Sequence, residues 1–226
     1  MTVHKQRLLD YFNGRGFERW QQIYGDAPIA GVRRTIRIGH QQMLDLALAW
    51  LAEATRPSDL VLDAGCGTGL LTLGMAQRGR RVQAVDLAPQ MANATEQALQ
   101  SAGMARLVNV QVGDLEQIVG QYAAVACLDV LIHYPAELFA GMLSHLAARS
   151  QGGLIFTYAP YEPLLAALHW LGGRFPQAQR RTDIQMIADR EVAQVLAASG
   201  YQISRKARIS RGFYHVTLVQ ADRRIG

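Results

Sequence analysis

The chain is short of cysteine, lysine and long apolar runs. Its two cysteines, Cys66 and Cys127, are too few for a disulfide framework and lack the paired spacing of a zinc site, so no metal is expected. No apolar stretch approaches the roughly 18 residues of a membrane span. The first ten residues, MTVHKQRLLD, have no apolar signal core, so secretion is not expected. There is no internal repeat, no long basic run and no nucleic-acid-binding motif, so no nucleic-acid partner is expected. Charged residues make up only 18% and hydrophobic residues 50%, which excludes disorder as the overall state. The expectation is a cytoplasmic protein.

What is present is arginine. Of 23 basic residues only Lys5 and Lys206 are lysine, and the net charge of +5 is unevenly spread. Residues 1–40 hold seven basic against three acidic residues, 41–173 six against eleven, and 174–226 ten against four. An acidic middle between basic ends suits an anionic ligand or surface met by the ends. At 226 residues the chain can bury a sizeable core.

Helical periodicity covers about 4–13, 16–24 and 29–54, with Gly14, Gly25 and Pro57 as punctuation. Strands and helices then alternate. Strands are expected at 59–63, 81–86, 106–112, 122–128 and 153–158, and helices at 70–78, 89–102 and 135–149. A helix at 189–199 precedes strands at 201–209 and 213–220. This pattern predicts an α/β, Rossmann-like three-layer sandwich. Its sheet is expected to be mostly parallel and seven-stranded, closed by a C-terminal β-hairpin. Residues 1–54 form a helical arm and cap, 55–226 the core, and 160–188 a lid-like insert.

The sharpest local signal is Asp63-Ala64-Gly65-Cys66-Gly67-Thr68-Gly69, between a buried strand and a helix. Glycines there let the backbone approach a ligand, and the helix start offers free N–H groups. The dinucleotide fingerprint GxGxxG does not fit, because the third glycine comes one place early. Asp86 ends the second strand and Asp114 follows the third. The pattern resembles motif I of the class I S-adenosylmethionine-dependent methyltransferases. That resemblance implies S-adenosylmethionine as cofactor and S-adenosylhomocysteine (SAH) as co-product. It implies cofactor contacts at Asp63, Gly65, Cys66 and Gly67 in the loop, with Asp63 by the methionyl ammonium. Asp86 and Leu87 would lie at the ribose, Asp114 and Leu115 at the adenine, and Asp129 beyond the fourth strand.

The arm narrows the acceptor. Asp10-Tyr11-Phe12-Asn13, Gly16-Phe17-Glu18-Arg19-Trp20, Ile23-Tyr24-Gly25-Asp26, Arg37-Ile38-Gly39-His40 and Leu128–Pro135 resemble the magnesium-protoporphyrin IX methyltransferases of chlorophyll and bacteriochlorophyll synthesis. The resemblance runs through the whole chain. It implies esterification of the ring-C propionate of magnesium-protoporphyrin IX to the monomethyl ester. A propionate has a pKa near the roughly 4.3 of Glu, so it is already ionised at neutral pH and needs no general base. Tyr24 and His133 are expected to orient the acceptor rather than take a proton. Substrate contacts are expected from Arg37, His40, Tyr158, Trp170 and Arg211. The resemblance also implies a partner, the porphyrin-binding subunit of magnesium chelatase. The insert is read as a substrate lid, with a weak peripheral contact with photosynthetic membranes as its second reading. Two other functions fit the core motifs: a methyltransferase for a quinone precursor or other phenol, where His133 would be a true base, and a non-catalytic porphyrin or cofactor carrier.

Overall fold

The computed structural model describes residues 2–24, 31–161 and 184–224, with Tyr24 described by its backbone alone. Three helices open the chain: α1 (Val3–Phe12), α2 (Arg15–Tyr24) and α3 (Val32–Ala54). The alternating core follows as β1 (Leu60–Ala64), α4 (Leu70–Gln77), β2 (Arg81–Asp86), α5 (Pro89–Ser101), β3 (Val108–Val112), β4 (Tyr122–Cys127), α6 (Ala136–Arg149) and β5 (Ser150–Pro160). It closes with β6 (Met186–Ile187), α7 (Asp189–Ala198), β7 (Tyr201–Arg211) and β8 (Tyr214–Arg223).

The strand order is β3-β2-β1-β4-β5-β8-β7, with β6 pairing off the path onto β5. Strands β1 to β6 pair in parallel, and β8 runs antiparallel between β5 and β7. Among the described residues the sheet is therefore mixed and has eight strands, one more than the seven expected. The extra strand is two residues long, Met186↔Ala159 and Ile187↔Pro160, too short to leave a period in the sequence. Chain order reverses between β1 and β4, and a crevice outside the carboxyl ends of the strands opens at such a reversal.

Side-chain alternation sorts the core into two layers. Val61, Ala124, Ala126 and Ile155 face α3 and α4 through Leu44, Leu48, Leu71 and Met75. Leu62, Val125, Leu154 and Phe156 face α6 and α7 through Phe139, Leu143, Val192 and Leu196. Central strands buried on both faces read as continuous apolar runs, which is why β1 and β4 were legible as strands. In β7 the register shifts between Ile203 and Arg205. The shift moves the inward side chains from the α7 layer (Tyr201, Ile203) to the α3 layer (Ala207, Ile209), as a bulge does. Arg205 then pairs with Glu53, and Lys206 with Asp189. Charges on this edge strand discourage pairing with another chain.

Arg80 satisfies the end of α3, donating from Nη2 to the carbonyls of Ala52 and Thr55 at 3.0 Å each. The last carbonyls of a helix otherwise lack partners. Among the described residues no helix is long and apolar enough to cross a membrane.

Candidate active site

Beyond the carboxyl ends of β1, β2 and β4 lies a cavity of about 160 Å³. Its floor is the glycine loop. Gly65 adopts φ +84°, and a Cβ there would stand 2.2 Å from Val130 Cγ2, so only glycine fits. A Cβ on Gly67 would meet nothing within 4 Å; that side of the loop faces the open cavity.

Four carboxylates border the space: Asp63, Asp86, Asp114 and Asp129. Asp63 is almost fully buried and accepts a 2.5 Å hydrogen bond from Thr72 Oγ1. Burial pushes its pKa up to about 7, against the Thr72 bond, and nearby Asp86 raises it further. Asp86 accepts from the Gly67 N–H at 2.9 Å on one oxygen and from the Ala88 N–H at 2.8 Å on the other. Each oxygen keeps lone-pair capacity, as a pair of ribose hydroxyls requires. Burial raises the Asp86 pKa against those two bonds. Asp114 accepts from the Glu116 N–H at 3.0 Å on Oδ1 and from Lys5 Nζ at 2.6 Å on Oδ2. Leu87, Leu115 and Cys66 line the same cavity. Burial and the nearby carboxylates push the Cys66 thiol far up, which leaves it neutral and inert.

The roof is α1. Lys5, Leu8, Leu9 and Phe12 recur at i, i+3, i+4 and i+7, one face of a helix. Leu8, Leu9 and Phe12 line the cavity, while Lys5, 4% exposed, also pairs with Glu116 Oε2 at 2.6 Å. The sequence reading missed Lys5 and this stripe, although the spacing carried the signal. Asn13 Oδ1 accepts from the Gln90 N–H at 3.2 Å and ties the end of α1 to α5.

On the other side, His133 closes a 3-10 turn, Leu131–His133, after β4. Its ring meets Phe12 edge-on at 5.4 Å, and its Nδ1 is buried with no hydrogen-bond partner among the described residues. Burial, with a smaller push from His4, lowers its pKa to about 4. Asp129 takes the left-handed conformation, φ +56°, which is uncommon for a residue with a Cβ. Its N–H donates to Thr157 Oγ1 at 2.6 Å, and its carboxylate receives Thr157 Oγ1 at 3.1 Å and the Tyr214 hydroxyl at 2.8 Å. His40 Nε2 lies 3.9 Å from the oxygen that Tyr214 holds. Burial lowers the His40 pKa and Asp129 pulls it back up.

The cavity therefore gathers Asp63, Gly65, Cys66, Gly67, Asp86, Leu87, Asp114, Leu115, Asp129, His133 and His40 of the residues expected from sequence. Among the described residues it does not gather three others. Arg37 donates from Nε to the Ile23 carbonyl at 2.5 Å and from Nη2 to the Gln22 carbonyl at 3.3 Å, capping the end of α2. Tyr158 is buried with its hydroxyl on Asp189 at 2.7 Å, inside a cluster with Lys206 and Arg208. Arg211 is exposed at the end of β7. Trp170 lies outside the described residues, as does the side chain of Tyr24. Among the described residues no three His, Cys, Asp or Glu side chains group as a metal site.

Comparison with known proteins fits this geometry. A model of the magnesium-protoporphyrin IX methyltransferase C-terminus matches residues 127–223, and a general methyltransferase-domain model matches residues 61–151. A magnesium-protoporphyrin O-methyltransferase of Synechocystis is 38% identical over 97% of this chain and 96% of its own length. One of Rhodobacter capsulatus is 32% identical over 93% of this chain and 92% of its own length. The crystal structure of the Synechocystis magnesium protoporphyrin IX methyltransferase with bound SAH superposes with a TM-score of 0.88 at 37% identity, covering 97% of this chain and all of that one. Fold, cavity and whole-length similarity agree, and the chain belongs to the magnesium-protoporphyrin IX methyltransferase family.

Proposed function

We propose that the protein methylates the ring-C propionate of magnesium-protoporphyrin IX, giving the monomethyl ester of chlorophyll or bacteriochlorophyll synthesis. The observation that carries this reading is the roofed cavity: carboxylates on three successive strand ends below, α1 above, and a buried, unpaired histidine nitrogen at the side. S-adenosylmethionine supplies the methyl group when bound. Asp86, with spare lone pairs on both oxygens, fits its ribose. Asp63 fits its cationic methionyl end, and Asp114 with Leu115 its adenine. Gly67 leaves open space where any side chain would intrude.

The acceptor arrives ionised, so the protein's task is alignment and exclusion of water. Holding two reactants in line is worth roughly 7–11 kcal/mol in ideal systems. Phe12, Leu8 and Leu9 exclude water from above. His133 stays neutral at physiological pH because burial holds its pKa near 4. A neutral imidazole orients a carboxylate through a hydrogen bond. It is a poor base for a phenol of pKa around 10, which favours the propionate over the quinone-precursor reading. Tyr24 is assigned the same orienting role.

The helices before residue 25 act as an arm over the cavity, while α3 packs against the sheet as part of the core. The ends of the 160–188 insert pair in the sheet, and the rest of the lid assigned to it, residues 162–183, lies outside the described residues. Delivery by the porphyrin-binding subunit of magnesium chelatase would appear as co-purification of the two. Peripheral membrane contact would appear as flotation with anionic vesicles.

The deciding experiment incubates the purified protein with S-adenosylmethionine and magnesium-protoporphyrin IX and follows the porphyrin by mass spectrometry. A gain of one methylene unit is expected. Absence of that product, with cofactor bound, would leave the carrier reading in its place. Metal-free protoporphyrin in parallel tests whether the magnesium is read.

A further inference from the structure

The network around Asp129 has a composition that cofactor binding does not explain. Its members come from distant parts of the chain: His40 on α3, Asp129 after β4, Thr157 on β5 and Tyr214 on β8. Thr157 and Tyr214 lie outside residues 61–151, the general methyltransferase-domain match, and inside 127–223, the family-specific one. Asp129 itself sits in a backbone conformation that costs energy for a non-glycine residue. Thr157 over-determines it, accepting from its N–H and donating to its carboxylate. Tyr214 then fixes the second carboxylate oxygen at 2.8 Å.

The Tyr214 ring gets there by lying against α3 where the helix has no side chain. A Cβ on Gly39 would be 2.6 Å from Tyr214 Cδ1. The next residue, His40, meets the same ring edge-on at 6.1 Å and lines the cavity. One tyrosine thus contacts both members of the His40–Asp129 pair.

A carboxylate at the edge of this cavity would repel an acidic acceptor. A histidine between the two offsets that. Burial keeps the His40 pKa below its ordinary value in the free protein although Asp129 pulls it up. An acceptor carboxylate on the other side of the ring adds a second raising charge, so binding the acceptor favours the imidazolium that attracts it. We propose that Tyr214 is a positioning residue: through Asp129 it holds His40 where the acceptor's carboxylate is received, and so sets affinity for the acceptor rather than for the cofactor. This inference rests on the proposed function, since it needs an anionic acceptor.

The experiment compares wild type, Tyr214→Phe, His40→Ala and the double variant, measuring acceptor KM, kcat and the dissociation constant for SAH. Tyr214→Phe keeps the ring and removes one charge-assisted hydrogen bond. It is expected to raise acceptor KM roughly tenfold, with kcat and SAH binding within about twofold. His40→Ala should do at least as much, and the double variant no more than His40→Ala alone, because both changes act on one pair. Unchanged acceptor KM in Tyr214→Phe, additive effects, or a loss confined to SAH binding would overturn the proposal. If Tyr214→Phe does not fold, Asp129→Asn is the substitute. It keeps an acceptor for Tyr214 but removes the charge, and the same KM rise is expected. Wild-type protein without turnover on the porphyrin would refute the function itself; normal wild-type turnover with an unaltered variant KM would refute this inference alone.

Discussion

Lys5 and Asp114 form a 2.6 Å ion pair although 109 positions separate them in the chain. The pair anchors α1 over the cavity at the carboxylate assigned to the adenine. Burial alone would weaken the lysine's hold on its proton, but Asp114 and Glu116 outweigh it and the pKa is raised. Lys5→Met keeps the stem and removes the charge. A hydrogen bond to a charged group contributes roughly 1.5–3 kcal/mol, so α1 amides should exchange about 10- to 100-fold faster. Hydrogen exchange read by mass spectrometry checks this, and unaltered α1 protection would show that the apolar stripe suffices alone.

Asp63 predicts a pH dependence of the cofactor-free protein. Its folded pKa, about 7, lies above the ordinary value of 3.8. Between those values the folded chain holds a proton that the unfolded chain has released. Stability therefore falls as pH rises through that window. Asp63→Asn removes the titration. The melting temperature of the variant relative to wild type should climb from pH 4 to pH 7 and level off above it. Cofactor affinity should fall in the same variant at neutral pH. A difference in melting temperature that is flat with pH would mean that the carboxyl is ionised throughout.

The orienting role proposed for His133 comes with a cost in stability, because its buried Nδ1 has no partner among the described residues. A buried polar atom without a partner costs about 1–3 kcal/mol. His133→Leu should therefore raise the melting temperature of the free protein by a few degrees while lowering turnover roughly 10- to 100-fold, with SAH binding unchanged. In wild type the low pKa, about 4, leaves His133 neutral from about pH 5 upward, so it contributes no limb to the pH–rate profile there. A limb near pH 6.5 that disappears in His133→Leu would assign it a proton-transfer role instead.

Local signals carried most of the fold and the floor of the site. The glycine loop, Asp86 and Asp114 each sit at or just beyond the end of a strand that its own residues define, so spacing put them at the tip of the sheet, while their cofactor roles came from the family resemblance. The roof was half legible. Lys5, Leu8, Leu9 and Phe12 form a stripe, but a stripe does not say which surface it covers. The Asp129 network was not legible as a unit, because 85 positions separate Asp129 from Tyr214 and only the crossing of β8 beside β5 brings them together. Arg37 was expected at the substrate because arginine suits carboxylates. It instead binds backbone carbonyls at the end of α2, a competition between ligand and helix end that composition does not resolve. The β7 bulge reassigns which side chains point inward, and nothing in the alternation before Ser204 announces it.

Gly39 sets two effects of opposite sign against each other. In the middle of α3, alanine is favoured over glycine by roughly 0.8–1 kcal/mol of helix propensity. The added methyl would also press on Tyr214, with 2.6 Å to Cδ1 and 3.1 Å to Cβ. The Cβ is part of the rigid base of the side chain and cannot swing aside. Overpacking of this kind costs typically 1–3 kcal/mol, so the collision should win and Gly39→Ala should lower the melting temperature. Tyr214→Phe would not relieve it, because the clash is with the ring and its base rather than the hydroxyl. Tyr214→Ala would relieve it, so Gly39→Ala in that background should be neutral or stabilising. The sign of the Gly39→Ala effect in the two backgrounds, read from melts of all four proteins, decides whether α3 and β8 are pressed together there as tightly as the structure places them.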